Sequence, residues 1–256
     1  MKESIAIITG ASQGIGRATA IRLATDFAGL MLVARNEAEL IKTAEAVRAA
    51  GAKAAYLDLN LSDPKAVGIV VSKTLETFGR IDAVLNIAGA VPQIDLFEMT
   101  DEQWDAGTEL KLHGARRLTL RAWEALKKTR GSVVFMSGNS ALDPKPAFAA
   151  VATINAAIVA LAKAFSEQGI KDGIQVNSVL PGPVMSNRRK SFLDKWSAAN
   201  HLSMEDATAK FLVEARIERY GQPEEIAALM AFLVSPGAKW MTGSALRMDG
   251  GEVKAI

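Results

Sequence analysis

The chain has 256 residues, 49% of them hydrophobic, and a formal net charge of +2. That is enough apolar material for one large core, and too little charge to point to nucleic acid or an acidic membrane surface as a partner. The chain has no cysteine, which excludes disulfides, thiolate metal sites and a cysteine nucleophile.

In chain order, the first strand-length run is Ser4–Thr9 (SIAIIT), with no basic region, apolar stretch and cleavage site before it. It leads into Thr9-Gly10-Ala11-Ser12-Gln13-Gly14-Ile15-Gly16, and a helical segment, Gly16–Phe27, follows. Glycines there permit a tight turn and let backbone N–H groups approach a pyrophosphate, while the helix N-terminus offers free donors and a favourable dipole. Strand-like runs recur at Leu30–Ala34, Ala54–Leu59, Ile81–Asn86, Ser132–Ser137, Ile174–Leu180 and Ala245–Met248. Between them lie helical stretches at Glu37–Ala50, Pro64–Phe78, Asp101–Lys128, Ala147–Gln168 and Glu224–Leu233.

Apolar runs without polar alternation suit strands covered on both faces. Their alternation with helices predicts a Rossmann-like, doubly wound parallel α/β sheet of about seven strands, in one domain over 1–256. Residues 185–216 break the rhythm with short charged patches and a capping-box-like Ser203–Asp206, which reads as a lid or as a plain surface helical pair. No apolar run reaches the roughly 18–20 residues that span a bilayer. The expectation is a cytoplasmic protein with no membrane partner and no metal.

The loop T-G-x-x-x-G-x-G resembles that of the short-chain dehydrogenase/reductase superfamily, and further matches run along the chain. Asp58, followed by Leu59, ends the third strand. Asn86-Ile87-Ala88-Gly89 stands where the family has N-N-A-G. Asn177–Ser186 (NSVLPGPVMS), Arg219–Glu225 (RYGQPEE) and Asp249-Gly250-Gly251 match later signatures. The resemblance implies a dinucleotide site formed by Gly10, Ser12, Gln13, Gly14, Ile15 and Gly16, by Asp58, Leu59, Asn86, Ala88 and Gly89, and by Pro181, Gly182, Val184 and Ser186. The second strand ends Val33-Ala34-Arg35-Asn36, where folds that select NAD place an acid. Arg35 instead suits a 2′-phosphate, so NADP(H) is expected over NAD(H). Gln13 supplies no second basic residue.

The family's chemistry rests on asparagine, serine, tyrosine and lysine. In this chain Lys111 holds the asparagine position, Gly138 the serine, Val151 the tyrosine and Asn155 the lysine. Valine transfers no proton. The asparagine and lysine are exchanged rather than lost, and a desolvated lysine can titrate near neutrality, so Lys111 is a conceivable acid working with Asn155. Three functions stay open: an NADP(H)-dependent oxidoreductase acting on a small alcohol or carbonyl, an inactive dinucleotide-binding sensor or partner subunit, and a lyase or isomerase. The substrate pocket is expected at Ala90–Leu96, Gly138–Phe148 and the lid, mostly apolar. The run AFAAVATINAAIVALA at 147–162 and the helix at 101–128 are expected to pair copies of the chain into a homodimer or homotetramer.

Overall fold

The apolar runs form strands β1 (Ile5–Thr9), β2 (Gly29–Ala34), β3 (Lys53–Asp58), β4 (Ala83–Asn86), β5 (Ser132–Met136), β6 (Gln175–Pro181) and β7 (Ala245–Met248). They make one all-parallel sheet in the order β3-β2-β1-β4-β5-β6-β7. The computed structural model describes residues 3–254. The order reverses between β1 and β4, and ligands bind such sheets beyond the carboxyl ends of the strands at that reversal.

Nine α-helices are seen among the described residues. They are α1 (Gly14–Leu23), α2 (Glu37–Ala49), α3 (Ala66–Phe78), α4 (Asp101–Thr108), α5 (Gly114–Thr129), α6 (Ala149–Asp172), α7 (Asn187–Ala199), α8 (Met204–Ala215) and α9 (Pro223–Leu233). One core lies between one sheet face and α1, α2 and α9, with Ile8, Leu23, Leu32, Leu40 and Met230 fully buried. The other lies beneath α3, α5 and α6, around Ile7, Val84, Leu118 and Phe135. Both faces of the sheet are therefore covered, which is why β1 is buried at every position.

Three expectations need correction, and the segment at 185–216 takes a helical-pair form that the sequence had left open. The first helix opens at Gly14, two residues inside the glycine loop, and stops at Leu23. The stretch expected as one helix over 101–128 is interrupted by a π turn at Glu109–His113. The segment at 185–216 holds two full helices, α7 and α8, whose N-caps Ser186 and Ser203 accept hydrogen bonds from Arg189 N and Asp206 N. Finally, one apolar stretch is long enough to cross a bilayer by length and composition. Residues 146–172 contain an 18-residue window of mean hydropathy 1.8. That helix lies on the sheet with Ile154, Ile158 and Ala162 buried, while Thr153, Ala156 and Ala160 line its outer face.

Candidate functional site

The glycine loop is held in shape by backbone geometry. Gly10 and Gly14 have φ of 68° and 53°, which side-chain-bearing residues rarely adopt. A Cβ on Gly16 would lie 2.1 Å from the Gly10 carbonyl oxygen, so the turn closes only around glycine. Gln13, the N-cap of α1, makes no side-chain cap bond, so its side chain does not occupy the first-turn N–H groups. The Thr9 hydroxyl accepts from Ile87 N at 2.9 Å and Ala88 N at 3.0 Å, tying this loop to the one after β4. Arg17 braces it from behind, bonding the Ser12 carbonyl at 2.5 Å and Glu39 at 2.5 Å.

A cavity of about 1040 Å³ runs along the carboxyl ends of the strands. Its wall includes Gly10, Ser12, Gln13, Gly14, Ile15 and Gly16, then Arg35, Leu59, Ala88 and Gly89. Towards β6 it includes Pro181, Gly182, Val184 and Ser186. Arg35 is exposed and makes no ion pair among the described residues. A glycine cradle, a helix N-terminus and an arginine beyond β2 fit a phosphorylated dinucleotide. Two expected contacts do not reach the wall. Asp58 closes the edge strand β3 with its side chain in solvent. Asn86 is 4% exposed and points to the α5 side of the sheet, where its Nδ2 donates to Thr119 Oγ1 at 3.0 Å.

The four altered catalytic positions converge on the same cavity. The π turn carries Lys111 over Gly89, where a Cβ would lie 3.0 Å from the lysine Cδ. Lys111 Nζ donates to Asn155 Oδ1 at 2.5 Å and to the Ser137 carbonyl at 3.2 Å. Asn155 Nδ2 donates to Ser140 Oγ at 2.9 Å. Gly138 leaves the space this amide fills, since a Cβ there would lie 2.5 Å from Asn155 Nδ2. The exchanged lysine and asparagine are thus in direct contact, 44 residues apart in the chain. Val151 lines the cavity and offers no polar atom. Ser137 spends its hydroxyl on the Asn155 carbonyl at 2.8 Å, and Thr153 faces outwards. His113, at the end of the π turn, stays off the cavity wall, and its buried Nδ1 has no hydrogen-bond partner.

The far end of the cavity is more polar than expected. Val91, Pro92, Gln93 and Phe148 are there, but so are Asn139, Ser140, Asp143 and Lys145. The helical pair at 185–216 contributes Arg189, Phe192 and Phe211. The Arg189 guanidinium stands over the rings of Phe211 at 4.8 Å, Phe192 at 5.2 Å and Tyr220 at 5.9 Å. Glu252, from the C-terminal segment, accepts a hydrogen bond from Asn139 Nδ2. Burial pushes the Tyr220 hydroxyl up to about 12, and that hydroxyl has no hydrogen-bond partner. Arg189 belongs to the segment expected to cover the pocket, whereas Glu252 carried no sequence signal, because a contact across more than 100 residues brings it to Asn139. Ser140 stood in the expected pocket, but its sequence neighbourhood offers its hydroxyl no evident base.

Residues 10–252 match a family model described as enoyl-(acyl carrier protein) reductase. The chain is 32% identical over 255 residues to the 3-oxoacyl-[acyl-carrier-protein] reductase FabG of Escherichia coli K12, with 96% of each chain covered. It is 29% identical over 250 residues to the short-chain reductase protein NovJ of Streptomyces niveus, covering 98% of this chain and 94% of that one. Its fold superposes on L-sorbose reductase from Gluconobacter frateurii, solved with NADPH and L-sorbose, at a TM-score of 0.94, with 28% identity and all of both chains covered.

Proposed function

Since the chain belongs to the short-chain dehydrogenase/reductase superfamily of oxidoreductases, we propose that it is an NADP(H)-dependent member acting on a small polar carbonyl or alcohol through a rearranged catalytic site. The observation that carries this reading is the 2.5 Å contact between Lys111 Nζ and Asn155 Oδ1 on the cavity wall. A site that had merely decayed would have no reason to keep the exchanged pair bonded, or to keep Gly138 and Gly89 small around it. When bound, the nicotinamide supplies the hydride for a carbonyl carbon.

The chain's own residues do the rest. Gly10–Gly16 and the α1 N-terminus hold the pyrophosphate, and Arg35 meets the 2′-phosphate. The NADPH in the L-sorbose reductase structure supports that choice of cofactor. Lys111 presents an ammonium that carries the proton for the substrate oxygen, and Asn155 and the Ser137 carbonyl aim it. The helices α7 and α8 bring Arg189, Phe192 and Phe211 over the cavity as its cover. We place the protein in the cytoplasm as one domain over 1–256. It pairs through the outer faces of α5 and α6, where Leu120 is 52% exposed beside a groove of about 560 Å³. Trp240, 99% exposed near β7, offers a second surface for a tetramer.

Val151 favours a second reading, a dinucleotide binder without turnover, because it puts an aliphatic side chain where relatives keep their acid. A lyase or isomerase on the same pocket is the third. Wild type and Lys111→Ala, followed by nicotinamide absorbance over a carbonyl and alcohol panel, separate these. The oxidoreductase reading expects turnover by wild type that falls about 10²–10⁴-fold in Lys111→Ala, with NADP(H) still bound. Activity that survives the substitution removes Lys111 as the acid. Wild type that binds NADP(H) and reduces nothing selects the binder.

A further inference from the structure

We infer that the hydroxyl of Ser140 is the hydrogen-bond donor that holds the substrate's oxygen in this cavity. The assignment rests on the oxidoreductase reading above and names the group on which the substrate docks. A carbonyl being reduced accumulates negative charge on oxygen, and a fixed donor aimed at that charge lowers the barrier. Two positions that would carry such a hydroxyl in relatives, 138 and 151, hold glycine and valine.

Three hydroxyls lie near the gap, and the structure discriminates among them. Ser137 is 5% exposed and donates its proton to the Asn155 carbonyl at 2.8 Å, so that proton is committed. Thr153 lies on the outer face of α6, away from the cavity wall. Ser140 sits in the 3-10 turn Asn139–Ala141, which directly follows β5, and lines the cavity. Its oxygen accepts from Asn155 Nδ2 at 2.9 Å. A hydroxyl has one proton and two lone pairs. With a lone pair taken by the amide, the Ser140 proton is turned away from Asn155, and it is donated to no protein group among the described residues.

The chain of contacts behind Ser140 explains the other changes. Lys111 fixes the Asn155 oxygen, which leaves the amide nitrogen no choice but to face Ser140. That nitrogen occupies the volume in which a serine at 138 would start. The hydroxyl has therefore moved two residues along the chain, and glycine at 138 is what lets its support reach it. With a nicotinamide bound to supply hydride, the carbonyl π pair would move onto oxygen as the carbon is reduced, and the Ser140 O–H would meet that oxygen. Ser140 keeps its proton, since an amide stands behind it. The proton that completes the alcohol is that of Lys111, which recovers one from water.

The test uses the full-length protein with NADPH and three carbonyl probes: 2,3-butanedione, ethyl acetoacetate and a ketohexose. Ser140→Ala is expected to lower kcat/KM about 100-fold on any probe that wild type reduces, with NADPH affinity unchanged and a Tm lower by a few degrees because the Asn155 amide loses its acceptor. Ser140→Thr, which keeps the hydroxyl, is expected to retain most of the activity. Ser140→Ala that stays within about threefold of wild type overturns the assignment while leaving the oxidoreductase reading intact. So does a loss that tracks weakened NADPH binding. Wild type that binds NADPH but reduces none of the probes overturns the reading itself, and the assignment with it.

Discussion

Restoring a serine at position 138 should damage this protein rather than repair it. In Gly138→Ser the new Cβ would stand 2.5 Å from Asn155 Nδ2 and 3.3 Å from its Cγ. Real Cβ atoms do not approach nitrogen that closely, so the amide must swing away. Doing so breaks its bond to Ser140 at 2.9 Å and takes its oxygen from the Lys111 ammonium at 2.5 Å. Overpacking costs about 1–3 kcal/mol, and a hydrogen bond to a charged group contributes about 1.5–3 kcal/mol. A loss of about 3 kcal/mol corresponds to a fall in Tm of about 6–12 °C for a chain of this length. Scanning calorimetry of four proteins measures it: wild type, Gly138→Ser, Asn155→Ala and the double variant. In the Asn155→Ala background the clash is gone, so the serine should cost less than about 0.5 kcal/mol there, leaving a coupling energy of at least about 2.5 kcal/mol. If Gly138→Ser costs the same with and without Asn155, the amide does not occupy the serine's place, and the account of the site as a co-adapted unit fails.

Arg35→Ala should weaken NADP(H) binding about 10–100-fold and leave NAD(H) nearly unchanged, because only the former brings a phosphate to the guanidinium; calorimetric titration that shows equal losses for both would contradict this. Tyr220 is neutral in the fold up to about 12, whereas an unfolded tyrosine ionises near 10. Its contribution is therefore intact below pH 10 and declines by about 2–3 kcal/mol as pH rises towards 12. Tyr220→Phe should flatten that alkaline decline in urea midpoints, and an unchanged slope would show that other groups control it. Ala160→Arg, on the outer face of α6, should dissociate the protein to monomers in sedimentation, unless that face is solvent in the wild type.

The sheet was legible because its inner strands are mostly apolar runs buried on both sides, a pattern that survives without neighbours, while the edge strands β3 and β7 are partly exposed. The glycine loop was legible for a similar reason, since its φ values and its 2.1 Å closure at Gly16 leave one residue type. Asp58 and Asn86 lie off the cavity wall, which the sequence did not reveal because a position does not say which way a strand-end side chain turns. Asn86 turned to Thr119 instead of the cavity. The exchange of lysine and asparagine could be read from spacing, but its direct bond could not. The polar character of the far end also escaped, because Glu252 comes from a segment whose placement depends on the whole fold, although Arg189 lies in the segment expected there.

The π turn at Glu109–His113 has a consequence for how this site can change. A π turn holds one residue more than the α-helix it interrupts, and each residue of an α-helix turns by about 100°. Gly114, just after it, is wedged against the Leu61 carbonyl, where a Cβ would lie at 2.9 Å, so α5 has no freedom to rotate. Losing a single codon within 109–113 would regularise the helix and throw the whole rotation onto the N-terminal side, carrying the lysine away from Gly89. One small deletion there would disarm the cleft while leaving the glycine loop and Arg35 in place. The reverse insertion would return the lysine, so its place on the cavity wall depends on this one turn and not on the shape of the glycine loop.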